Sequence, residues 1–197
     1  MNTIPFTPTA MGDLTDSVNR GLSSSYLKDD GIPVRLIKAK DIGDDGLLDV
    51  ESIDHEWVKS PRDIDKARVR KGDVIVTLKG TNFKAAIVTD DIANLVISAN
   101  LIALRPNHRI LPEVLVFYLN SSEGQQELQK RAGGSGIQSL NQNFLMEVPV
   151  PVIPMELQEK LSAYLKGVQI HLRNLDRERM MIKTLARIVG SEMMGKV

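Results

Sequence analysis

From Ile32 to about Pro151 the apolar positions come in short β-branched runs separated by Gly, Asp and Asn. VRLIKA (34–39), DVIVTL (73–78), AAIVT (85–89), LVIS (95–98) and LIAL (101–104) are bounded by turn residues, and the pattern predicts that strands dominate this half. One stretch between them, RILPEVLVFYLNSSEGQQELQKRAGG (109–134), changes period. Pro112 suits a first helical turn, and Leu115, Tyr118 and Leu119 fall at helical spacing. A second short helix is predicted to follow. Asn120 or Ser121 would cap it, Glu123 lies three residues after Asn120 as in a capping box, and Gly133 and Gly134 would end it.

The pattern changes again at EVPVPVIP (147–154). Pro149, Pro151 and Pro154 have no backbone N–H to donate, so the segment is predicted to be an extended edge that no strand can pair on both sides. Pro154 suits a first helical position, with Glu156 and Glu159 in the first turn, where the helix dipole favours negative charge. Beyond it Leu161, Val168, Leu175, Ile182 and Val189 recur every seven residues, with Leu165 and Leu172 at the complementary positions, as in a coiled-coil seam. Arg179 and Ala186 weaken that seam toward the C-terminus, and Gly167 lowers helix propensity by about 1 kcal/mol. A helix over 154–189 would be roughly 50 Å long at about 1.5 Å per residue. Burying five to seven such side chains, at about 1.5–3 kcal/mol each, yields on the order of 10–15 kcal/mol, comparable with an association cost of about 4–15 kcal/mol. The helix is therefore expected to need a partner and to be able to hold one. The alternative is that it folds back on its own domain, which a rod of this length would overhang.

A chain of 197 residues has room for one domain with an appendage and for a real core. The absence of cysteine excludes a disulfide framework, a thiolate metal site and a cysteine nucleophile, and it fits a reducing cytoplasm. MNTIPFTPTAMGDLTD lacks the basic-then-apolar pattern of a secretory signal, and no apolar run approaches the roughly 20 residues that cross a bilayer, so a soluble cytoplasmic protein with no membrane partner is expected. The 25 basic and 25 acidic residues balance, which counts against a simple electrostatic nucleic-acid binder. Their distribution is uneven. Residues 1–54 hold ten acids and five bases, whereas 55–84 hold eight bases (Lys59, Arg62, Lys66, Arg68, Arg70, Lys71, Lys79 and Lys84) against four acids.

Motifs for catalysis are missing. The chain has no phosphate loop, no Gly-x-Gly-x-x-Gly after a strand and no Gly-x-Ser-x-Gly elbow, and GGSG (133–136) is read as preceding a strand. His55, His108 and His171 are scattered and expected at the surface, and the acids of DIGDDGLLDVESIDHE (41–56) do not match a calcium loop. No metal or cofactor is expected. What remains is GGSGIQSLNQN (133–143), read as a loop carrying Gln138, Asn141, Gln142 and Asn143. Amides present donor and acceptor side by side and can read adenine, while Arg and Lys read guanine or grip phosphate.

The order KGDVIVTLKG (71–80), ISANLIALRP (97–106), PEVLVFYLNS (112–121), a Gly-rich amide loop and VPVPVIPMELQEKL (148–161) resembles a target recognition domain of the type I restriction-modification specificity subunit. The most specific part is the junction of Pro151, Pro154, Gln158 and Leu161 into a long helix, and the likeness runs from MGDLTDSVNRG (11–21) to that helix. The resemblance implies an α/β (α+β) fold: a mixed β-rich target recognition domain over 1–152, followed by a long C-terminal coiled-coil helix over 153–197 that dimerises and spaces. It implies a non-catalytic reader of double-stranded DNA. Specificity subunits of this family join two recognition domains by antiparallel helices that also carry modification methyltransferase subunits, and a restriction subunit can join them. One domain and one helix suggest a homodimer rebuilt by two-fold symmetry, with two heads about 15 base pairs apart at roughly 3.4 Å each and a palindromic, interrupted target. On this reading Arg62, Arg68, Arg70, Lys71, Lys79, Asn82, Lys84, Gln138, Asn141, Gln142 and Asn143 contact DNA, and Leu161, Leu165, Val168, Leu172, Leu175, Ile182 and Val189 form the helix seam. Two alternatives stand beside it: a coiled-coil module or decoy that pairs with another specificity subunit without reading DNA, and the recognition end of a fused methyltransferase.

Overall fold

The computed structural model describes residues 6–133 and 138–194, and within them the short apolar runs become strands. Central among them are β5 (Val74–Thr77) and β8 (Leu101–Pro106), paired antiparallel with Val74 opposite Leu104 and Thr77 opposite Leu101. Outside them lie β2 (Thr15–Arg20), on the β8 side, and β6 (Ala85–Ile87), on the β5 side, giving a four-stranded sheet in the order β2-β8-β5-β6. A second, mixed sheet holds β4 (Asp54–Val58), β3 (Leu27–Ile37) and β7 (Leu95–Ile97), with β3 antiparallel to β4 and parallel to β7. The proline segment is extended as expected: β9 (Pro149–Val152) pairs on one side with β1 (Thr7–Ala10).

β5 is buried along its whole length because its sheet is the middle of three layers. Val74, Val76, Ile102 and Leu104 face one apolar cluster, under helices α2 (Pro112–Asn120), α3 (Ser122–Arg131) and α4 (Gln142–Met146). Ile75, Leu101 and Ala103 face the other, shared with Val34, Leu36, Leu95 and Ile97 of the mixed sheet and with Ile64 of α1 (Pro61–Ala67). Successive side chains of a strand point to opposite faces, so one strand serves two cores.

Several sequence expectations need correction. β1, β2 and β4 were not expected, because TDSVNR and DHEWV are polar runs at or near sheet edges, where one face stays wet. α1 was missed although Ser60 caps it, its hydroxyl accepting from the Asp63 N–H, and Pro61 starts it. α3 is capped by Ser121, which accepts from the Gly124 N–H; no box forms between Asn120 and Glu123, because Asn120 spends its amide on Ala85. α3 also stops at Arg131 rather than at the glycines, and Gly134 lies outside the described residues. The segment after GGSG leads through a short bridge at Ser139 into α4, so Gln142 and Asn143 are helical rather than looped.

The terminal helix α5 spans Met155–Met194, 40 residues or about 60 Å at roughly 1.5 Å per residue. It starts one residue after the expected position: Pro154 stands outside it, its carbonyl accepting from the N–H groups of Leu157 and Gln158. Gln158 is buried, accepting from the Leu111 N–H and donating to the Arg109 and Ile153 carbonyls, which locks this first turn to the approach of α2. The chain divides into two compact units, Met1–Glu159 and Lys160–Val197. Past Ser162 no described side chain of α5 is buried, and no described helix is long and apolar enough to cross a membrane.

Candidate nucleic-acid interface

Antiparallel pairing sends the C-terminal end of β2, the start of β8, the C-terminal end of β5 and the start of β6 to the same end of the four-stranded sheet. Lys79, Asn82 and Lys84 therefore project from that end, on the turn between β5 and β6. The amide segment joins them there. Leu140 N–H donates to the Leu78 carbonyl, Gly80 N–H donates to the Gln138 carbonyl, and Lys79 bridges Ser139. Of the predicted segment 133–143, Gly134–Ile137 lie outside the described residues.

The turn is held from behind by three amides, of which the sequence reading took Asn120 for a helix cap and left Gln125 and Gln129 unassigned. Gln125 accepts from the Phe83 N–H and donates to the Phe83 carbonyl; Asn120 does the same with Ala85; Gln129 donates to the Thr81 carbonyl at 3.4 Å. Asn120 thus takes the place of a strand at Ala85 on the outer edge of β6, whose Ile87 N–H donates to the Gly46 carbonyl, so the edge offers no open backbone there to a foreign strand. Phe83, fully buried, anchors the turn in the core. Asn82 and Lys79 are left exposed at its tip. Lys84 is drawn aside by Asp44, with 2.6 Å between Nζ and Oδ1.

Among the four amides, Asn141 caps α4, its side chain accepting from the Asn143 N–H at 2.8 Å, so that oxygen is occupied. Gln142 accepts from Nε of Arg20 at 2.6 Å. Asn143 is exposed on α4 and Gln138 is half-buried. Arg20, the last residue of β2, was not singled out from sequence: its partner is 122 residues away, and only the fold brings the two together.

The remaining basic candidates lie elsewhere. Arg70 and Lys71 sit ahead of β5, at the opposite end of the sheet, where Arg70 N–H and Lys71 N–H donate to Asp73 and Asp91. Arg105 also engages Asp73 there, each carboxylate oxygen 2.9 Å from one guanidinium nitrogen. Arg62 is exposed on α1. Arg68 pairs with Asp65 at 3.2 Å while its carbonyl accepts from Asn19. The basic run of the sequence is therefore split between α1, the start of β5 and the turn after β5.

Charge chemistry is concentrated on β3–β4 rather than on a pocket. Hydrogen bonds from Lys38 and then Lys40 hold the Asp54 carboxyl down at about 2, and the same bonds raise both lysines. On α3, Lys130 and then Arg131 hold Glu127 below the usual carboxylate range. No group of three or more His, Asp or Glu among the described residues could hold a metal, and all three histidines are exposed.

On α5, Leu161 and Leu165 are half-buried and Val168, Leu172, Leu175, Ile182 and Val189 are exposed. The first three layers of α2–α4, central sheet and mixed sheet, followed by a long helix, recur in solved structures. A chain of a type I R-M system, from work on its complex assembly and conformational transition, matches with a TM-score of 0.63 and 21% identity over 89% of this chain and 42% of its own. The HsdS subunit from Thermoanaerobacter tengcongensis matches with a TM-score of 0.62 and 24% identity, over 88% of this chain and 39% of its own. The S subunit of the type I restriction-modification system from M. genitalium matches with a TM-score of 0.56 and 17% identity, over 89% and 42%. This chain thus spans about two fifths of the length of each. No curated protein sequence matches it.

Residues 11–178 match the family model of the type I restriction modification DNA specificity domain. The chain belongs to that family.

Proposed function

We propose that this chain is a sequence-specific DNA-recognition subunit of a type I restriction-modification complex, in which the head reads one half of a split target and the helix pairs two copies and docks methyltransferase subunits. The head, 1–152, is the reader and 153–197 the spacer. One observation carries the reading: family membership over residues 11–178 together with an exposed apolar seam running from Val168 to Val189. Water-exposed leucines at heptad spacing call for a second helix. Met181, Leu185 and Ile188 are exposed as well: at about 100° per residue Leu185 stands roughly 40–60° around the helix from Ile182 and Val189, and Met181 and Ile188 about 80–120°, so they widen the seam on one side. An apolar face this broad supports a helical partner, a second copy of the chain.

For the head, the end bearing Lys79, Asn82, Lys84, Gln138 and the α4 amides is the reading surface, since it combines base-reading amides with cations on an immobilised turn. Arg62 and Arg68, on and just after α1, and Arg70 and Lys71, at the far end of the sheet, would be phosphate contacts away from that surface. The chain itself is non-catalytic and takes no cofactor; with the modification subunits enclosing the duplex, its neutral charge suffices.

The test is selection from random duplex DNA by the full chain with its modification subunits. The expected product is a palindromic, interrupted motif, and Lys79→Glu weakens binding to it more than Arg70→Glu does. An asymmetric motif, or equal losses from the two variants, overturns this assignment.

A further inference from the structure

We propose that Arg20, aimed by Gln142, is a specificity-determining residue of the head and reads a guanine in the major groove. This rests on the DNA-reading assignment above. A guanidinium carries five N–H donors, and in Arg20 one of them, on Nε, is committed to the Gln142 oxygen at 2.6 Å. Among the described residues the two terminal nitrogens have no partner, and the side chain is exposed. That leaves a planar fork facing water, the shape that matches O6 and N7 of guanine.

The contrast with Arg105 is informative. Both carboxylate oxygens of Asp73 occupy the Arg105 guanidinium, so that arginine braces the opposite end of the sheet. Arg20 has a neutral amide behind it instead, which orients the group and leaves its charge unspent. Both ends of the pair are fixed. Gly21, directly after Arg20, lies where a Cβ would come within 1.8 Å of the Ser98 carbonyl oxygen, so the backbone here is wedged between strands. Gln142 stands on α4, which Asn141 caps and fully buried Leu145 anchors. Arg20 also shares the sheet end of Lys79: it lies opposite Ile102, which lies opposite Val76, three residues before Lys79. Donors held in place before binding lose little conformational freedom on contact, and such contacts discriminate between bases.

The experiment compares wild type, Arg20→Ala, Arg20→Lys and Gln142→Ala in selection from random duplex DNA, using the full chain with its modification subunits, with thermal melting as the control for folding. Wild type is expected to enrich a guanine in each half-site. Both Arg20 variants should lose about tenfold or more of that preference while the other positions keep theirs. Gln142→Ala, which keeps the arginine and removes its support, should lose a smaller part at the same base. Three results overturn the proposal: an unchanged motif and affinity in Arg20→Lys, a uniform loss over all sequences with a shallower salt dependence, as for a phosphate contact, or a loss at positions other than guanine. A wild-type chain that enriches no motif at all overturns the DNA-reading assignment and this proposal with it.

Discussion

Up to Glu159 the apolar side chains close on one another, in two clusters on either face of the central sheet; from Val168 on, Val168, Leu172, Leu175, Ile182 and Val189 are exposed at heptad-type spacing. The same kinds of residue are used in both regions, and what differs is dimensionality. A sheet with helices on one side and a second sheet on the other can bury both its faces within one chain, whereas a single helix cannot cover its own stripe. Stability of the head is intramolecular, and the proposed stability of the rod depends on protomer concentration.

The sharpest way to break this contrast is at the seam. Leu172→Asp combined with Leu175→Asp removes two side chains, each worth about 1.5–3 kcal/mol when buried, and leaves the head untouched. Sedimentation should then show a dimer turning into a monomer, with the dissociation constant raised at least about a hundredfold and the melting of the head unchanged. A stable monomer for wild type at high micromolar concentration defeats the pairing scheme outright.

Within the head, Gln125→Ala is the next largest change. It strips partners from the Phe83 N–H and carbonyl and from the Leu119 carbonyl, and should cost about 1–3 kcal/mol in denaturant unfolding, while assembly through the helix stays as it was. An equal loss of assembly would mean that the two regions are not energetically separate.

The smallest effect sharpens the picture of the mixed sheet. Lys38 and Lys40 hold the Asp54 carboxyl at about 2 against an ordinary 3.8. A carboxyl lowered in the folded state contributes stability that is present above its unfolded value and is lost as pH falls through the folded one. The difference in unfolding midpoint between wild type and Asp54→Asn should therefore be constant above about pH 4 and shrink toward pH 2. Because the group is exposed, the effect is modest and salt should reduce it. A difference that grows as pH falls would contradict the assignment.

How much of this was legible in the residues varies by element. β5 and β8 could be read because both faces are buried, so VIV of the one and LIAL of the other are apolar throughout. β2 could not, because most of what stabilises TDSVNR comes from its neighbour β8 rather than from its own composition. The charged candidates were visible as residue types, but their grouping was not: Arg70 and Lys79 lie nine positions apart in sequence and at opposite ends of one strand, while Arg20 and Gln142, far apart in sequence, touch. Asn120 reads as a cap and Gln125 carries no local signal, because the Ala85 and Phe83 backbone groups they serve lie more than thirty residues away.

The sequence by itself determined the periodicities, and with them the β-rich head, the proline boundary and the long amphipathic helix, because those signals are local and repeat within a few residues. Tertiary structure alone decided which polar groups meet. A hydrogen bond between distant residues depends on strand order and register, and neither is written in any single stretch of the chain.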